Sequence, residues 1–171
     1  MVEPRVSIEP WGEHDMVILE RSNTSEMTVY LGGPETPDQL EARHQRYLSM
    51  WATGDARMFR IMHRDDAVGG IGYWRIDRRG VPAYEIGWSV HTPFQGKGIA
   101  GRALALCIDD ARAHRDPERT GLFAFPLVSN TGSNRLCERA GFTFLGEEPF
   151  EYPRGNPIVV NAWRLALDEG G

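Results

Sequence analysis

The chain of 171 residues is 41% hydrophobic and 25% charged, the profile of a globular domain long enough to bury a core without disulfides or metals. A formal net charge of -5 and a pI near 5.5 oppose contact with a phosphate backbone, which excludes nucleic acid as a partner. Glu3, Arg5 and Glu9 stand where a signal peptide would be apolar, and no run reaches membrane-spanning length. The chain is therefore read as one cytoplasmic domain over residues 1–171, with no membrane partner.

In chain order, Val6 and Ile8 alternate with polar neighbours and predict a short opening strand, and His14 to Arg21 reads as a short helix. Thr36-Pro37-Asp38-Gln39 carries an N-cap, a proline at the first helical position and a capping box, which starts a second helix running to about Trp51. Arg57 to His63 and Ala67 to Ile76 are two strands. The turn Asp77 to Gly80 leads to a third, Pro82 to Val90, completing an antiparallel meander. Within that third strand Tyr84, Ile86, Trp88 and Val90 share one face, and Glu85, Gly87 and Ser89 the other.

From Gly98 to His114 the apolar residues recur at helical spacing until Asp116-Pro117. Gly121 to Val128 suits a buried strand, Ser133 to Ala140 a two-turn helix ended by Gly141, and Phe142 to Phe150 with Pro157 to Leu167 a terminal strand pair. The order is β-α-α-β-β-β-α-β-α-β-β, an α/β (α+β) mixed sheet with helices on both faces. The last strand pair is either a homodimer surface or a free edge.

Cys107 and Cys137 are too far apart for a redox or zinc motif, and the five histidines lack ligand spacing, so no metal is expected. The chemistry sits in Val90 to Arg102, a glycine-rich turn between a strand and a helix. The N–H groups of a first helical turn have no internal partners and the dipole is positive there, so such a turn takes a diphosphate. A P-loop is excluded because His91 stands at its first glycine position and Gly98 at its hydroxyl position. Gly96, Gly98 and Gly101 satisfy the dinucleotide fingerprint literally. However, Asp116 precedes the next strand where the fingerprint's acidic residue should follow it, and the roughly 70 residues after Gly101 cannot complete a Rossmann domain.

Gln95, Gly98 and Ala100 fit a third pattern, Gln/Arg-x-x-Gly-x-Gly/Ala, and with the meander before them the chain resembles the GNAT acetyltransferase superfamily. Asn130 to Phe142 resembles a second block of that family, as found in the branch similar to ribosomal-protein N-terminal acetyltransferases. The resemblance covers nearly the whole chain and implies a GNAT-like, mostly antiparallel central sheet.

It also implies an acetyl-CoA-dependent N-acetyltransferase acting by direct attack of a primary amine, either a peptide N-terminus or a small molecule, in a ternary complex. A catalytically silent acyl-CoA-binding or sensing domain, and a transferase using another acyl-CoA, are the alternatives. The cofactor would lie on Gln95, Gly96, Lys97, Gly98, Ile99, Ala100 and Gly101, on the main chain of Trp88, Ser89 and Val90, and on Asn130 and Ser133. The strand ending at Val90 would splay from the one ending at Val128.

Asn130 and Ser133 are equally suited to capping the helix they precede. Cys137 occupies the position where many relatives hold a tyrosine acid; it reads as a small core residue, which leaves the acid unassigned. Glu85 and His91 are the candidate bases, against a solvated sheet-face glutamate and a turn-shaping histidine. Deprotonating an α-amine at pH 7 costs about 1 kcal/mol, against about 4.6 for a lysine, so an uncertain base leans towards low-pKa amines. Ser25 to Pro34 and Glu151 to Pro157, with Glu26, Tyr30, Tyr152 and Arg154, would meet the acceptor. Trp51, Trp74 and Trp88 are read as core rather than pocket.

Overall fold

A computed structural model describes residues 4–169; Glu3, part of the charged amino terminus read above, lies outside them. The elements are β1 (Val6–Pro10), α1 (Met16–Ser22), α2 (Pro37–Thr53), β2 (Ala56–His63), β3 (Asp66–Arg78), β4 (Val81–Val90), α3 (Ile99–His114), β5 (Gly121–Ala124), α4 (Thr131–Arg139), β6 (Thr143–Glu151) and β7 (Pro157–Ala166). This is the predicted order. The sheet runs β1-β2-β3-β4-β5-β7-β6, and every neighbouring pair is antiparallel except β4 with β5.

Local signals set most boundaries. Thr36 accepts from the Gln39 amide while the Gln39 side chain accepts from the Thr36 amide, the predicted capping box. The first helix starts at Met16 rather than His14. Asp15 holds its N-cap position, and its carboxylate takes the Gly12 amide at 2.7 Å and Arg60 at 3.0 Å. The β3-β4 turn tightens to Arg79-Gly80, both at positive φ (53° and 84°), the geometry of a two-residue hairpin.

The predicted strand to Val128 ends at Ala124. Pro126 has no N–H to give a ladder, and only a bridge from Leu127 to Val160 follows. Asn130, not Ser133, caps α4, its Oδ1 accepting from the Ser133 amide at 3.2 Å. At the other end Ala140 is the cap and Gly141 follows at φ 90°. The Gly141 and Phe142 amides return to the Glu138 and Cys137 carbonyls, a Schellman closure.

The sheet buries a core on each face. Ile71, Tyr73, Tyr84, Ile86 and Val90 pack under α3, together with Ala103, Leu104 and Cys107 of that helix. Trp11, Ile18, Ala56 and Met58 pack with α1 and α2 on the opposite face. α3 is fixed to the sheet by Asp110, which accepts from Arg57 at 2.7 and 2.8 Å and from the Tyr73 hydroxyl at 2.7 Å. The α3 amino terminus is thereby held at the end of β4.

Candidate active site

Three features converge where β4 ends. The first is the turn into α3. A single 3₁₀ turn, Thr92–Phe94, follows His91, and Gly96 and Gly98 then adopt φ 75° and 78°, left-handed values that residues with a Cβ rarely hold. Gly98 is the N-cap of α3, with no side-chain cap among the described residues. The first-turn amides therefore point outward, unbonded within the helix. A Cβ at Gly96 would meet nothing within 4 Å, and one at Gly98 only Pro4 at 3.8 Å, so the approach to these amides is open.

The second feature is a gap in the sheet. β4 and β5 pair only through Tyr84 with Leu122 and Glu85 with Phe123. Past Glu85 the strands part, so β4 from Ile86 onward has no ladder partner on its β5 side, and the splay expected from sequence is present.

The third is a cavity of about 490 Å³ over the α1/α2 face, reached by this gap. Glu85, Trp88, Ser89, Asn130 and Ser133 line it, as do Trp74 of β3 and Phe125 after β5. Trp51, Trp74 and Trp88 all pack against the core as read from sequence, and Trp74 and Trp88 line this cavity as well. Trp74 can lie flat along the floor because Gly87 has no side chain; a Cβ there would sit 2.9 Å from the Trp74 ring.

Glu85 is half-buried on this floor, directly across the ladder from Trp74. Burial raises its carboxyl pKa to about 7, only partly opposed by the Trp74 indole N–H. A carboxyl poised near neutrality in a cavity suits proton acceptance.

The remaining sequence candidates fall differently. His91 is 5% exposed, and its ring Nε2 bonds the Ile18 carbonyl at 3.1 Å, turned away from the Glu85 cavity. Burial lowers its pKa and keeps it neutral, so it pins α1 to the end of β4. Gln95 places its side chain on the Val90 carbonyl at 2.9 Å, bracing the turn from within. Lys97 is exposed, its ammonium 5.7 Å from the Phe94 ring centroid. Cys137 is fully buried, and burial pushes its thiol up to about 12, which removes it as an acid or nucleophile at neutral pH. Tyr30 and Tyr152 line the cavity. Glu26 lies instead in a small cleft beside His91.

Two residues escaped the sequence reading. Asn134 donates to the Leu127 and Asn130 carbonyls, each at 2.9 Å, and accepts from Asn161 at 2.8 Å and the Trp163 indole at 2.9 Å. It fastens α4 and the Asn130 loop to β7. Arg43 of α2 is the second, reaching across the cavity to Tyr152 at 3.2 Å. Asn134 lies within the second motif block but was given no role there, because its Asn161 and Trp163 partners lie far along the chain, as does the Tyr152 partner of Arg43. Among the described residues no cluster of three or more His, Cys, Asp or Glu could hold a metal, and no helix is long and apolar enough to cross a membrane.

A family model described as an acetyltransferase (GNAT) domain matches residues 5–143. No curated protein sequence matches. Among solved structures, the chain is similar to RimL, a ribosomal L7/L12 alpha-N-protein acetyltransferase in complex with coenzyme A. The two are 19% identical with a TM-score of 0.78, over 95% of this chain and 94% of that one. The ribosomal-protein-S5-alanine acetyltransferase from Vibrio fischeri is 20% identical with a TM-score of 0.78, over 99% and 97% of the two chains. The microcin C7 self immunity acetyltransferase MccE, in complex with acetyl-CoA and AMP, is 17% identical with a TM-score of 0.77, over 94% and 92%. At such identities the likeness speaks for the fold, while the family model spans most of the sequence and both of its motif blocks. The chain belongs to the GNAT acetyltransferase domain family.

Proposed function

We propose that this acetyltransferase uses acetyl-CoA and transfers its acetyl group to a primary amine by direct attack in a ternary complex, with Glu85 as the base. The observation that carries the reading is the position of Glu85. It lies on the cavity floor at the last residue before β4 and β5 separate, so a carboxyl near neutrality faces the opening through which a thioester would enter.

The site fits the donor. The outward amides of Ile99, Ala100 and Gly101 and the Gly96 to Gly98 turn suit a pyrophosphate. The unpaired edge from Ile86 to Val90 suits the amide-bearing pantetheine arm, which can hydrogen-bond there as a strand would. In these roles Trp88, Ser89 and Val90 act through main chain, and Gln95 acts as a positioning residue because its side chain is committed to Val90. Asn130 serves as helix cap, and its amide nitrogen remains for the donor at the cavity mouth beside Ser133.

The acceptor ammonium gives its proton to Glu85, directly or through one water. The amine nitrogen forms a bond to the acetyl carbonyl carbon, the carbon–sulfur bond breaks, and the second proton that the nitrogen loses passes to the departing thiolate. Main-chain N–H groups on the open β4 edge stabilise the charge that develops on the carbonyl oxygen. Ser133, which lines the cavity, would stabilise the thiolate, and Cys137 is buried.

Calorimetric titration with acetyl-CoA of the parent and of Gly98→Glu tests the donor site. The added carboxylate would meet the phosphates at the helix terminus, so binding is expected in the parent and lost in the variant. A folded parent that does not bind acetyl-CoA would overturn the reading. Binding without thiol release across a broad amine panel would favour a silent acyl-CoA-binding domain instead.

A further inference from the structure

The charged groups lining the Glu85 cavity are Glu35, Arg43, Arg46 and Glu85 itself. Glu35 and Arg43 pair at 2.6 Å through Nη2, and the same Nη2 donates to the Tyr152 hydroxyl at 3.2 Å. The Arg43 Nε, however, is buried and bonds nothing among the described residues, a condition costly enough to be uncommon in a folded protein. Burial works against the guanidinium charge, but Tyr47, Tyr152 and Glu35 together outweigh it and keep Arg43 fully charged. Arg46, one turn on, has no carboxylate partner among the described residues. With Glu35 neutralised by Arg43, the α2 wall keeps a net positive charge, facing a floor whose one acid is Glu85.

Between these walls the lining is apolar and soft, with Trp11, Met27, Met50, Met58, Trp74 and Phe150. Arg43 and Tyr152 both line the cavity, and their hydrogen bond ties α2, which packs over β2, to the β6-β7 connection on the far side of β5.

We propose that the acceptor is a free α-amino acid with an aromatic or thioether side chain, its amine at Glu85 and its carboxylate on the positive α2 wall at the Arg43 guanidinium. This rests on the transferase reading above and names its substrate class. The carboxylate complements the positive charge of Arg43 and Arg46, and the methionine and tryptophan walls take the side chain. A second cation on the substrate would face Arg43 and Arg46, which disfavours polyamines and other polycationic amines.

The test measures thiol release from acetyl-CoA by the parent enzyme with L-phenylalanine and L-methionine, their carboxamides, the decarboxylated amines, and a hexapeptide beginning Met-Phe. The expected result is a kcat/KM for the acids roughly 10- to 100-fold above that for the amides, the size of a charge-assisted hydrogen bond. Arg43→Gln is expected to collapse that acid-to-amide ratio to within about threefold, mostly through KM, with the affinity for acetyl-CoA held.

A hexapeptide, amide or decarboxylated amine turned over as well as the acids overturns the proposal while leaving the transferase reading standing. So does an Arg43→Gln variant that loses acid and amide activity in equal proportion, which would make Arg43 a structural bridge only. Because the parent's own acid-to-amide ratio decides the main point, the test does not depend on how the variant folds. No thiol release with any amine, from a parent that binds acetyl-CoA, overturns the transferase reading and this proposal with it.

Discussion

Trp74 and Glu85 stand directly opposite each other across the β3-β4 ladder, on the face that floors the cavity. Burial on this floor is the physical source of a carboxyl pKa raised to about 7, and the hydrogen bond from the Trp74 indole opposes the rise in part.

As the proposed base, Glu85 would have to be ionised to accept a proton, so kcat/KM should rise with pH through an inflection near 7 and then level. Glu85→Gln should lower kcat by roughly 100-fold or more and erase that inflection, with acetyl-CoA binding retained. A Glu85→Gln enzyme that keeps the parent's pH profile would assign the base elsewhere.

The same carboxyl costs stability when charged. Its folded pKa lies above the unfolded value, so the folded state binds the proton more tightly, and stability falls as pH rises from about 4.5 to about 7. The loss amounts to about 3 kcal/mol once both states are ionised. Thermal denaturation of parent and Glu85→Gln at pH 5 and pH 8 should therefore show the variant gaining on the parent at pH 8. Equal shifts at the two pH values would contradict the burial argument.

His91 should behave as a structural residue. Its pKa is lowered by burial, so its contribution is present at neutral pH and lost as pH falls through the unfolded value near 6.5. His91→Ala removes the bond to the Ile18 carbonyl and opens a space under α1. Urea denaturation at pH 7.5 should show a loss of about 2 kcal/mol. The inflection in kcat/KM should stay where the parent has it; a His91→Ala enzyme without that inflection would make His91 the base.

Asn134→Ala should be more damaging than its half-buried position suggests, because it leaves two carbonyls, an amide and an indole N–H without their partner. A loss of about 2 to 4 kcal/mol is expected by chemical denaturation. Hydrogen exchange should localise the loosening to α4 and the Asn130 loop. A loss below about 0.5 kcal/mol would show that water replaces the side chain fully.

Modification kinetics check the cysteines. With Cys107 and Cys137 both fully buried and burial raising both thiols, native protein should resist a maleimide at pH 7 and react only on unfolding. Rapid labelling of the native state, traced to Cys137 by peptide mapping, would contradict its placement in the core.

The parts of the fold legible in the sequence are those written in neighbouring residues. The capping box of Thr36 and Gln39 spans four residues, the alternation of β4 placed Glu85 and Ser89 on one face, and Gln95 to Ala100 announced a glycine turn opening a helix. What stayed hidden depends on distant partners. His91 was an open choice between base and turn residue until its ring met Ile18, 73 positions away. Arg43 looked like any helix-surface arginine because Tyr152 lies 109 positions on, and Asn134 finds its indole partner 29 positions later. Trp74 and Trp88 pack against the core as expected, but that they also line a cavity depends on the parting of β4 from β5, which no local pattern announces.

That parting also has a thermodynamic side. The four strands β1 to β4 and the three strands β5 to β7 meet through two residue pairs, a thin seam for a seven-stranded sheet. A ligand arm lying along the open edge of β4 would widen the seam from within, much as an inserted strand would. Its binding energy would then add to folding energy, by about 2.7 kcal/mol at a concentration one hundred times its dissociation constant. The donor would be at once a reactant and a removable piece of the sheet, and each turnover would exchange a spent piece for a fresh one.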